Sequence, residues 1–179
     1  MKLYLVGKKI IIRKLKLSDA NGIYYNVKDK TIVKWTLNIP HPYPKNGARK
    51  FIRHEIYKIK KKKGYAFGIT LRNADRVIGV ISLFKIDQSN KNAELGYWLG
   101  KKYWGQGIMT EAIKLILIFG FKHLKLHRIY ANLFEENLPS KRILEKVGFK
   151  LEAKLREERF RYGKWHNVLR YGIIVSEWR

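Results

Sequence analysis

One stretch of the chain, from Gly96 to Ala112, combines a strand, a glycine-rich loop and the start of a helix. The bulky residues 97–99 suit a pleated strand, and from Met109 onward nothing breaks a helical run until Gly120. Glycine lets backbone N–H groups come close to a ligand, and a helix N-terminus adds unpaired donors and a partial positive charge. The stretch therefore predicts an anion site at a strand-to-helix junction, with a pyrophosphate as its natural guest.

The loop matches neither of two well-known glycine motifs. A Walker loop needs Gly-Lys-Ser/Thr at the helix start, and this loop has none. A dinucleotide fingerprint needs its glycines directly after the strand, whereas here only Gly105 and Gly107 form a Gly-x-Gly. The glycines alone do not distinguish an anion site from the alternative, a solvated turn before a core helix.

The residues around these glycines resemble a known family. The segment Lys102-Tyr-Trp-Gly-Gln-Gly107 is similar to the Arg/Gln-x-x-Gly-x-Gly/Ala pattern of the GNAT acetyltransferases, with Lys at the first position. The neighbouring segments, in order, are Glu94-Leu-Gly-Tyr-Trp-Leu99, His127-Arg-Ile129, Asn137-Leu-Pro-Ser140 and Leu144-Glu-Lys-Val-Gly-Phe149. In that order they resemble the Rim-type branch, which acetylates the N-termini of ribosomal proteins. The resemblance runs from Ile11 to Tyr171.

The composition narrows the class of protein further. A chain of 179 residues with 46% hydrophobic residues predicts one globular domain, 1–179. No apolar run approaches the roughly 20 residues of a membrane span, and the N-terminus is too short in apolar residues for a secretory signal, so we expect a cytoplasmic protein without a membrane partner. The chain has no cysteine, which excludes an acetyl-cysteine intermediate and thiolate zinc sites. The histidines show no metal spacing, so we expect no metal.

The net charge of +25 gives the chain a field that attracts polyanions. A ribosome, a nucleic acid and the phosphates of coenzyme A all qualify as partners. The same field disfavours a cationic polyamine as substrate. The basic surface therefore predicts an anionic partner, and contact with ribosome or RNA is one expectation.

Hydrophobic periodicity predicts a mixed α+β chain with one central sheet. Strands are predicted at 9–13, 65–72, 76–84, 93–99, 128–133, 150–160 and 167–175, and helices at 20–27, 45–62, 109–123 and from Pro139 to Gly148. Residues 31–44 contain three prolines and are predicted to form a loop. The resemblance implies a GNAT fold: a central mixed, mostly antiparallel sheet of six to seven strands, splayed in the middle and flanked by about four helices.

The resemblance also implies where acetyl-CoA, the expected cosubstrate, would lie. Two parallel strands would splay at Glu94–Leu99 and Arg128–Leu133, and a backbone N–H near Leu99 would bind the thioester oxygen or the pantetheine arm. The loop would bind the pyrophosphate, and Asn137 would bind the pantetheine arm. The candidate coenzyme-binding residues are Leu99, Lys102, Tyr103, Trp104, Gly105, Gln106, Gly107, Ile108, Met109, Thr110, Asn132, Asn137 and Ser140.

Three residues are candidates for catalysis. The resemblance makes Ser140 the acid that protonates the departing thiolate, although a helix cap is the alternative role for its Asn-x-x-Ser segment. Glu94 is the first candidate base, and a purely structural carboxylate is its alternative. The family expects a second carboxylate on the strand after Phe149, where this chain has Arg159. Glu157, two residues earlier on the same predicted face, is the candidate substitute.

The acceptor is left open between several amines. An α-amino group, with a pKa near 7.7–8, needs only a weak base, whereas a lysine amine near 10.4 needs a stronger one. The Rim-type resemblance favours a protein N-terminus, and a polyamine, an aminoglycoside or an amino acid is the alternative. Trp35, His41 and Tyr43 of the 31–44 loop are candidates to face the acceptor. A non-catalytic RNA-binding module on the same fold is a third hypothesis, and relatives that dimerise make a homodimer an open expectation.

Overall fold

The structure, a computed structural model, describes residues 3–178. Its strands are β1 (Tyr4–Val6), β2 (Ile10–Lys14), β3 (Gly64–Leu71), β4 (Ala74–Asp87), β5 (Asn92–Leu99), β6 (Arg128–Phe134), β7 (Lys150–Arg161) and β8 (Lys164–Ile174). Its helices are α1 (Ala20–Val27), α2 (Lys30–Val33), α3 (Gly47–Lys60), α4 (Ile108–Ile118) and α5 (Leu138–Lys146). Within these residues no helix has the length and apolar character that crossing a membrane requires.

The strands form one eight-stranded sheet in the order β1-β2-β3-β4-β5-β6-β8-β7. Every neighbouring pair is antiparallel except β5 and β6, which run parallel. The predicted α+β class and the mixed, mostly antiparallel GNAT sheet are confirmed. Instead of the expected six to seven strands and about four helices, residues 3–178 form eight strands and five α-helices, because β1 and α2 were not predicted.

Both extra elements are too short to show a periodicity of their own. β1 has three residues and is held by β2, where Leu5 lies opposite Ile12. α2 has four residues and overlaps the segment predicted as loop, so the prediction of a loop over 31–44 is wrong for residues 31–33. Asp29 caps α2 by accepting a hydrogen bond of 2.8 Å from the backbone N–H of Thr31.

The sheet separates two apolar cores. The larger core packs α4 against residues of one sheet face that include Leu95 and Leu99. The smaller core packs α1 and α3 on the opposite face, beside Val80 and Trp98. Successive residues of a strand point to opposite faces, so β5 presents Tyr97 to the α4 side and Glu94 to the α3 side.

The sheet opens between β5 and β6. The two strands are paired from Asn92 and Arg128 as far as Glu94 and Tyr130, and both strands then continue beyond that point. The expected splay in the middle of the sheet is therefore present. It leaves a wedge whose floor is the unpaired end of β5 and whose mouth points towards the start of α4.

Candidate functional site

The end of β5 presents unpaired backbone groups to the wedge. The N–H of Gly100 donates to the carbonyl of Ile78 at 2.8 Å, and Leu99 lies opposite Gly79. Because hydrogen-bonded and non-hydrogen-bonded pairs alternate in an antiparallel ladder, the N–H groups of Tyr97 and Leu99 point away from β4. They point instead towards the gap, where β6 has already diverged. These are the donors that a carbonyl or amide in the wedge would meet.

The loop after β5 adopts a conformation that requires glycine. Gly105 and Gly107 have φ values of +75° and +76°, in the left-handed region that residues with a Cβ rarely adopt. Gly107 immediately precedes α4, whose first backbone N–H groups, at 108–110, have no partner within the helix. The side chains of Ile108 and Met109 are buried in the core, so these residues offer main-chain donors only. The loop and the start of α4 thus present backbone N–H groups where the sequence predicts an anion, and anion binding there stays a prediction.

Contacts from outside the loop hold it in place. The indole Nε1 of Trp104 donates to the carbonyl of Leu99 at 2.7 Å, which ties the loop to the end of β5. The ammonium of Lys9 donates to the carbonyl of Gln106 at 3.0 Å. The backbone N–H of Lys9 in turn donates to the carboxylate of Glu111 in the first turn of α4. The β1–β2 turn therefore braces the loop against the helix.

A single cavity of about 1000 Å³ joins the loop, the wedge and the acceptor side. Its walls include Gly105, Gly107 and Thr110 at one end and Tyr43 and Phe51 at the other. Three cationic side chains also line it, namely Lys58, Arg142 and Lys146. A volume of this size is at the upper end of the range for small-molecule sites and suits a long, phosphorylated ligand with an acceptor beside it.

Ser140 is held at the cavity by two partners. Its backbone N–H donates to Oδ1 of Asn137 at 3.2 Å, so the pair does cap α5. Its hydroxyl lies 2.6 Å from the phenol oxygen of Tyr97, and both residues line the cavity. Burial raises the pKa of Tyr97 to about 12, against a smaller opposing effect of the Ser140 hydrogen bond. The phenol therefore stays protonated near neutral pH, and either hydroxyl can donate in this contact.

Sequence reasoning missed Tyr97 as a functional residue. This tyrosine reaches the serine from β5, and the two residues lie 43 positions apart in the chain. The one available signal was the strand periodicity, which places Tyr97 on the same face as Leu95 and Leu99. That signal could not show that α5 packs over this face.

Glu94 lies on the other face of β5, in a polar network. The carboxylate is 4% exposed, and its Oε1 accepts a hydrogen bond of 3.0 Å from the amide of Asn132. Arg170 donates to Oδ1 of the same asparagine at 3.0 Å. Lys85 Nζ lies 2.8 Å from Oε2 as an ion pair, at an angle that makes no hydrogen bond. Oε2 is thus buried against the Lys85 ammonium, and Oε1 is bound by Asn132.

Most of the predicted site residues line this cavity. They are Glu94, Leu99, Tyr103, Trp104, Gly105, Gly107, Ile108, Met109, Thr110, Asn132, Asn137 and Ser140. Lys102 and Gln106 lie on the exposed outer side of the loop, where the Gln106 amide donates to the Lys102 carbonyl at 2.9 Å. For Lys102 and Gln106, contact with a phosphate from outside the cavity stays a prediction.

The structure does not bring Glu157 to the cavity. Glu157 is exposed, has a φ of +48° and sits in a bulge of β7. Residues 156–158 together lie opposite Asn167 alone, so the strand's regular alternation breaks there. The prediction that Glu157 shares the face of Arg159 assumed an unbroken strand, and the bulge removes that assumption.

The segment 31–44, predicted to wall the acceptor site, lines two cavities, and its contact with an acceptor stays a prediction. Trp35, Tyr43 and the residues between Thr36 and Pro40 line the main cavity, whereas His41 lines a neighbouring one. Arg161, at the end of β7, donates to the carbonyls of Thr36 and Ile39 and so ties this wall to the β7–β8 hairpin. Among residues 3–178, no group of three or more His, Cys, Asp or Glu side chains is arranged to hold a metal ion.

Comparison with known proteins agrees with this geometry. Residues 9–150 match the family model of the acetyltransferase (GNAT) domain. A probable N-acetyltransferase of Bacillus subtilis (strain 168) is 38% identical over 171 residues, which are 92% of this chain and 94% of that protein. A ribosomal-protein-serine acetyltransferase of Escherichia coli (strain K12) is 30% identical over 150 residues, 83% of each protein. The crystal structure of a probable acetyltransferase has a TM-score of 0.89 at 27% identity and covers 98% of both chains.

Proposed function

The chain belongs to the GNAT family and is an acetyl-CoA-dependent N-acetyltransferase, and from that premise we propose that its acceptor is the N-terminal α-amine of a protein, with a ribosomal protein as the favoured substrate. Transfer would be direct, within a ternary complex. The amine attacks the thioester carbonyl, the carbon–sulfur bond breaks, and the thiolate leaves with a proton supplied by the enzyme. A chain without cysteine has no thiol to carry the acetyl group between two steps.

The continuous cavity is the observation that carries this proposal. Its loop end offers the N–H groups of the α4 N-terminus to a pyrophosphate, and its centre offers the N–H of Leu99 to the thioester oxygen. Donors held by a sheet and a helix need little reorganisation when charge develops on that oxygen. Because Leu99 and Ser140 line the same volume, one extended thioester would reach both.

Ser140 is the proposed acid for the departing thiolate. The hydroxyls of Tyr97 and Ser140 lie 2.6 Å apart, and with Tyr97 as the proposed donor the serine proton is free to point at the sulfur. In this arrangement Tyr97 acts through Ser140 as a positioning residue. An alkyl thiol such as free cysteine has an unperturbed pKa of about 8.5, so a thiolate is a fair leaving group and the acid should contribute modestly.

Glu94 is the proposed base, acting through water. It lies on the acceptor face of β5, opposite in direction to Tyr97, so acid and base flank the acetyl group from two sides. Asn132 and Lys85 fix the position of the carboxylate by a hydrogen bond and a charge contact. A weak base of this kind suits an α-amine, of which about a tenth or more is already neutral at pH 7.

Two observations support a ribosomal protein as the acceptor. One relative that covers most of the chain acts, by its name, on a serine of a ribosomal protein. The net charge of +25 draws the enzyme to an anionic particle and raises the rate of encounter with it.

A turnover screen tests the proposal. The enzyme is given acetyl-CoA and, separately, N-terminal peptides of ribosomal proteins, spermidine and an aminoglycoside, and free thiol is measured. We expect turnover with peptides, acetylation of the α-amine in the mass spectrum of the product, and no turnover when that amine is blocked. Turnover with spermidine or the aminoglycoside alone would refute the peptide acceptor.

A further inference from the structure

A second cavity of about 550 Å³ adjoins the acceptor end of the main one. Trp35 lines both cavities, so the two are separated by the segment that carries this indole. The other walls of the second cavity come from the α2 segment, from His41, from Phe134 and Glu136 at and after the end of β6, and from the β7–β8 hairpin. Its volume suits one or two side chains of a ligand that extends from the main cavity.

The lining of the second cavity is aromatic and cationic. Trp35 and Tyr162 provide aromatic surface, and Lys30, Lys34 and Lys164 provide positive charge. Among the described residues 3–178, none of these three lysines forms an ion pair with a carboxylate. The Lys34 ammonium lies 4.8 Å from the centre of the Trp35 ring, which keeps it beside the shared wall.

The cavity holds one carboxylate, and that carboxylate is already engaged. Glu136 Oε1 lies 3.1 Å from Nδ1 of His166, and the pKa of Glu136 is lowered by a hydrogen bond from its own backbone, by His166 and by the charge of Lys164. The other ring nitrogen of His166 lies 3.2 Å from the carbonyl of Arg161. Since Arg161 also holds the carbonyls of Thr36 and Ile39, the cavity has a braced wall.

We propose that the second cavity binds an acidic side chain of the acceptor, at the second or third residue of a peptide whose α-amine lies in the main cavity. This inference rests on the proposed function, and it narrows the substrate class to protein N-termini that carry Asp or Glu just after the first residue. An extended chain advances about 3.3–3.6 Å per residue, so two or three residues carry it past one indole. A carboxylate there meets three cations, and its methylene groups meet Trp35.

The proposal is tested with three peptides of equal length and a common neutral tail, which begin Ser-Asp-Asp, Ser-Asn-Asn and Ser-Lys-Lys. The measurement is kcat/KM for each at saturating acetyl-CoA. Exposed ion pairs contribute little each, so we expect the acidic peptide to exceed the amide peptide roughly threefold to tenfold, and the lysine peptide to be the poorest. Equal values for the acidic and amide peptides would overturn the proposal.

A pair of charge-reversal variants separates the cavity from the general field of the chain. Lys34→Glu/Lys164→Glu should abolish or invert the preference. Lys60→Glu/Lys63→Glu changes the net charge equally at exposed lysines that line neither cavity, and should preserve it. A control pair that removes the preference as fully as the cavity pair would assign the effect to overall charge and overturn the proposal.

A binding arm keeps the inference testable if no peptide is acetylated. The protein saturated with coenzyme A is titrated with the acidic peptide by calorimetry. We expect binding that weakens at least roughly threefold in Lys34→Glu/Lys164→Glu and is retained in the control pair. No binding, or equal binding in both variants, would overturn the cavity assignment, whereas binding without turnover would refute only the proposed function.

Discussion

The contact between Tyr97 and Ser140 makes a quantitative prediction about catalysis. Tyr97→Phe removes one neutral hydrogen bond, of 2.6 Å, and leaves Ser140 in place. Such a bond has a net strength of about 0.5–1.5 kcal/mol. If all of it orients the serine proton, the rate of acetyl transfer should fall about 2-fold to 13-fold. Ser140→Ala removes the proton donor itself and should be at least as slow.

The double variant decides whether the tyrosine works through the serine. If it does, Tyr97→Phe/Ser140→Ala should match Ser140→Ala within about twofold, because the tyrosine then has no partner to orient. If the two residues contributed independently, the fold-decreases in rate of the two single variants would instead multiply in the double variant. The assay is a single-turnover measurement by rapid quench, since product release limits kcat in many enzymes. A multiplicative double variant would refute the proposed role of Tyr97.

Two further measurements separate this role from a structural one. Because burial raises the pKa of Tyr97 to about 12, its phenol should contribute no bend to the pH–rate profile between about pH 6 and 9. The affinity for coenzyme A should be unchanged in Tyr97→Phe. Tyr65→Phe is the matched control, since it removes a phenol from a buried position in β3 that does not line the cavity.

Three other perturbations follow from the structure. Gly107→Ala forces a Cβ into a left-handed conformation at a cost of about 1–2 kcal/mol and should weaken coenzyme A binding in calorimetry. The control is Gly163→Ala in the β7–β8 turn, where φ is +78° and the space is equally open, and it should cost similar stability and leave binding intact. Equal weakening of binding in both variants would contradict the loop assignment. Glu94→Gln should slow acetylation of a peptide α-amine most at low pH, and the loss of rate should shrink as the pH approaches about 8, where the amine deprotonates unaided. A loss of rate that is independent of pH would rule out the role of Glu94 as base. Hydrogen bonds from Lys16 and then Arg13 lower the pKa of Asp75 from its ordinary 3.8, so the stability that Asp75 contributes is present above pH 3.8 and is lost as the pH falls through the lowered pKa. The free energy of unfolding in urea, measured at about pH 2 and pH 6, should therefore depend less on pH for Asp75→Asn than for the parent chain. An identical pH dependence in both would show that Asp75 is not its source.

The local sequence predicted the parts of this protein that depend on short-range rules. A strand that ends in Leu99, a loop that needs glycine at 105 and 107, and a helix that begins beside them all follow from backbone sterics and hydrophobic periodicity. Those rules act between neighbours along the chain, so the anion site could be placed before any contact between elements was known. The family motifs added the partner strand and Ser140, because they preserve an order of segments that the fold requires.

Only the tertiary packing determined which residues of different elements face one another. α5 sets Ser140 against a tyrosine from β5, and the sheet puts Glu94 beside Asn132 of β6, through contacts between positions far apart in the chain. The bulge that turns Glu157 away depends on the pairing of β7 with β8, which leaves no mark in the residue pattern. The second cavity likewise exists only where α2 meets the β7–β8 hairpin. Residue chemistry determined that an anion and a thioester could bind this chain, and the three-dimensional arrangement determined which side chains surround them.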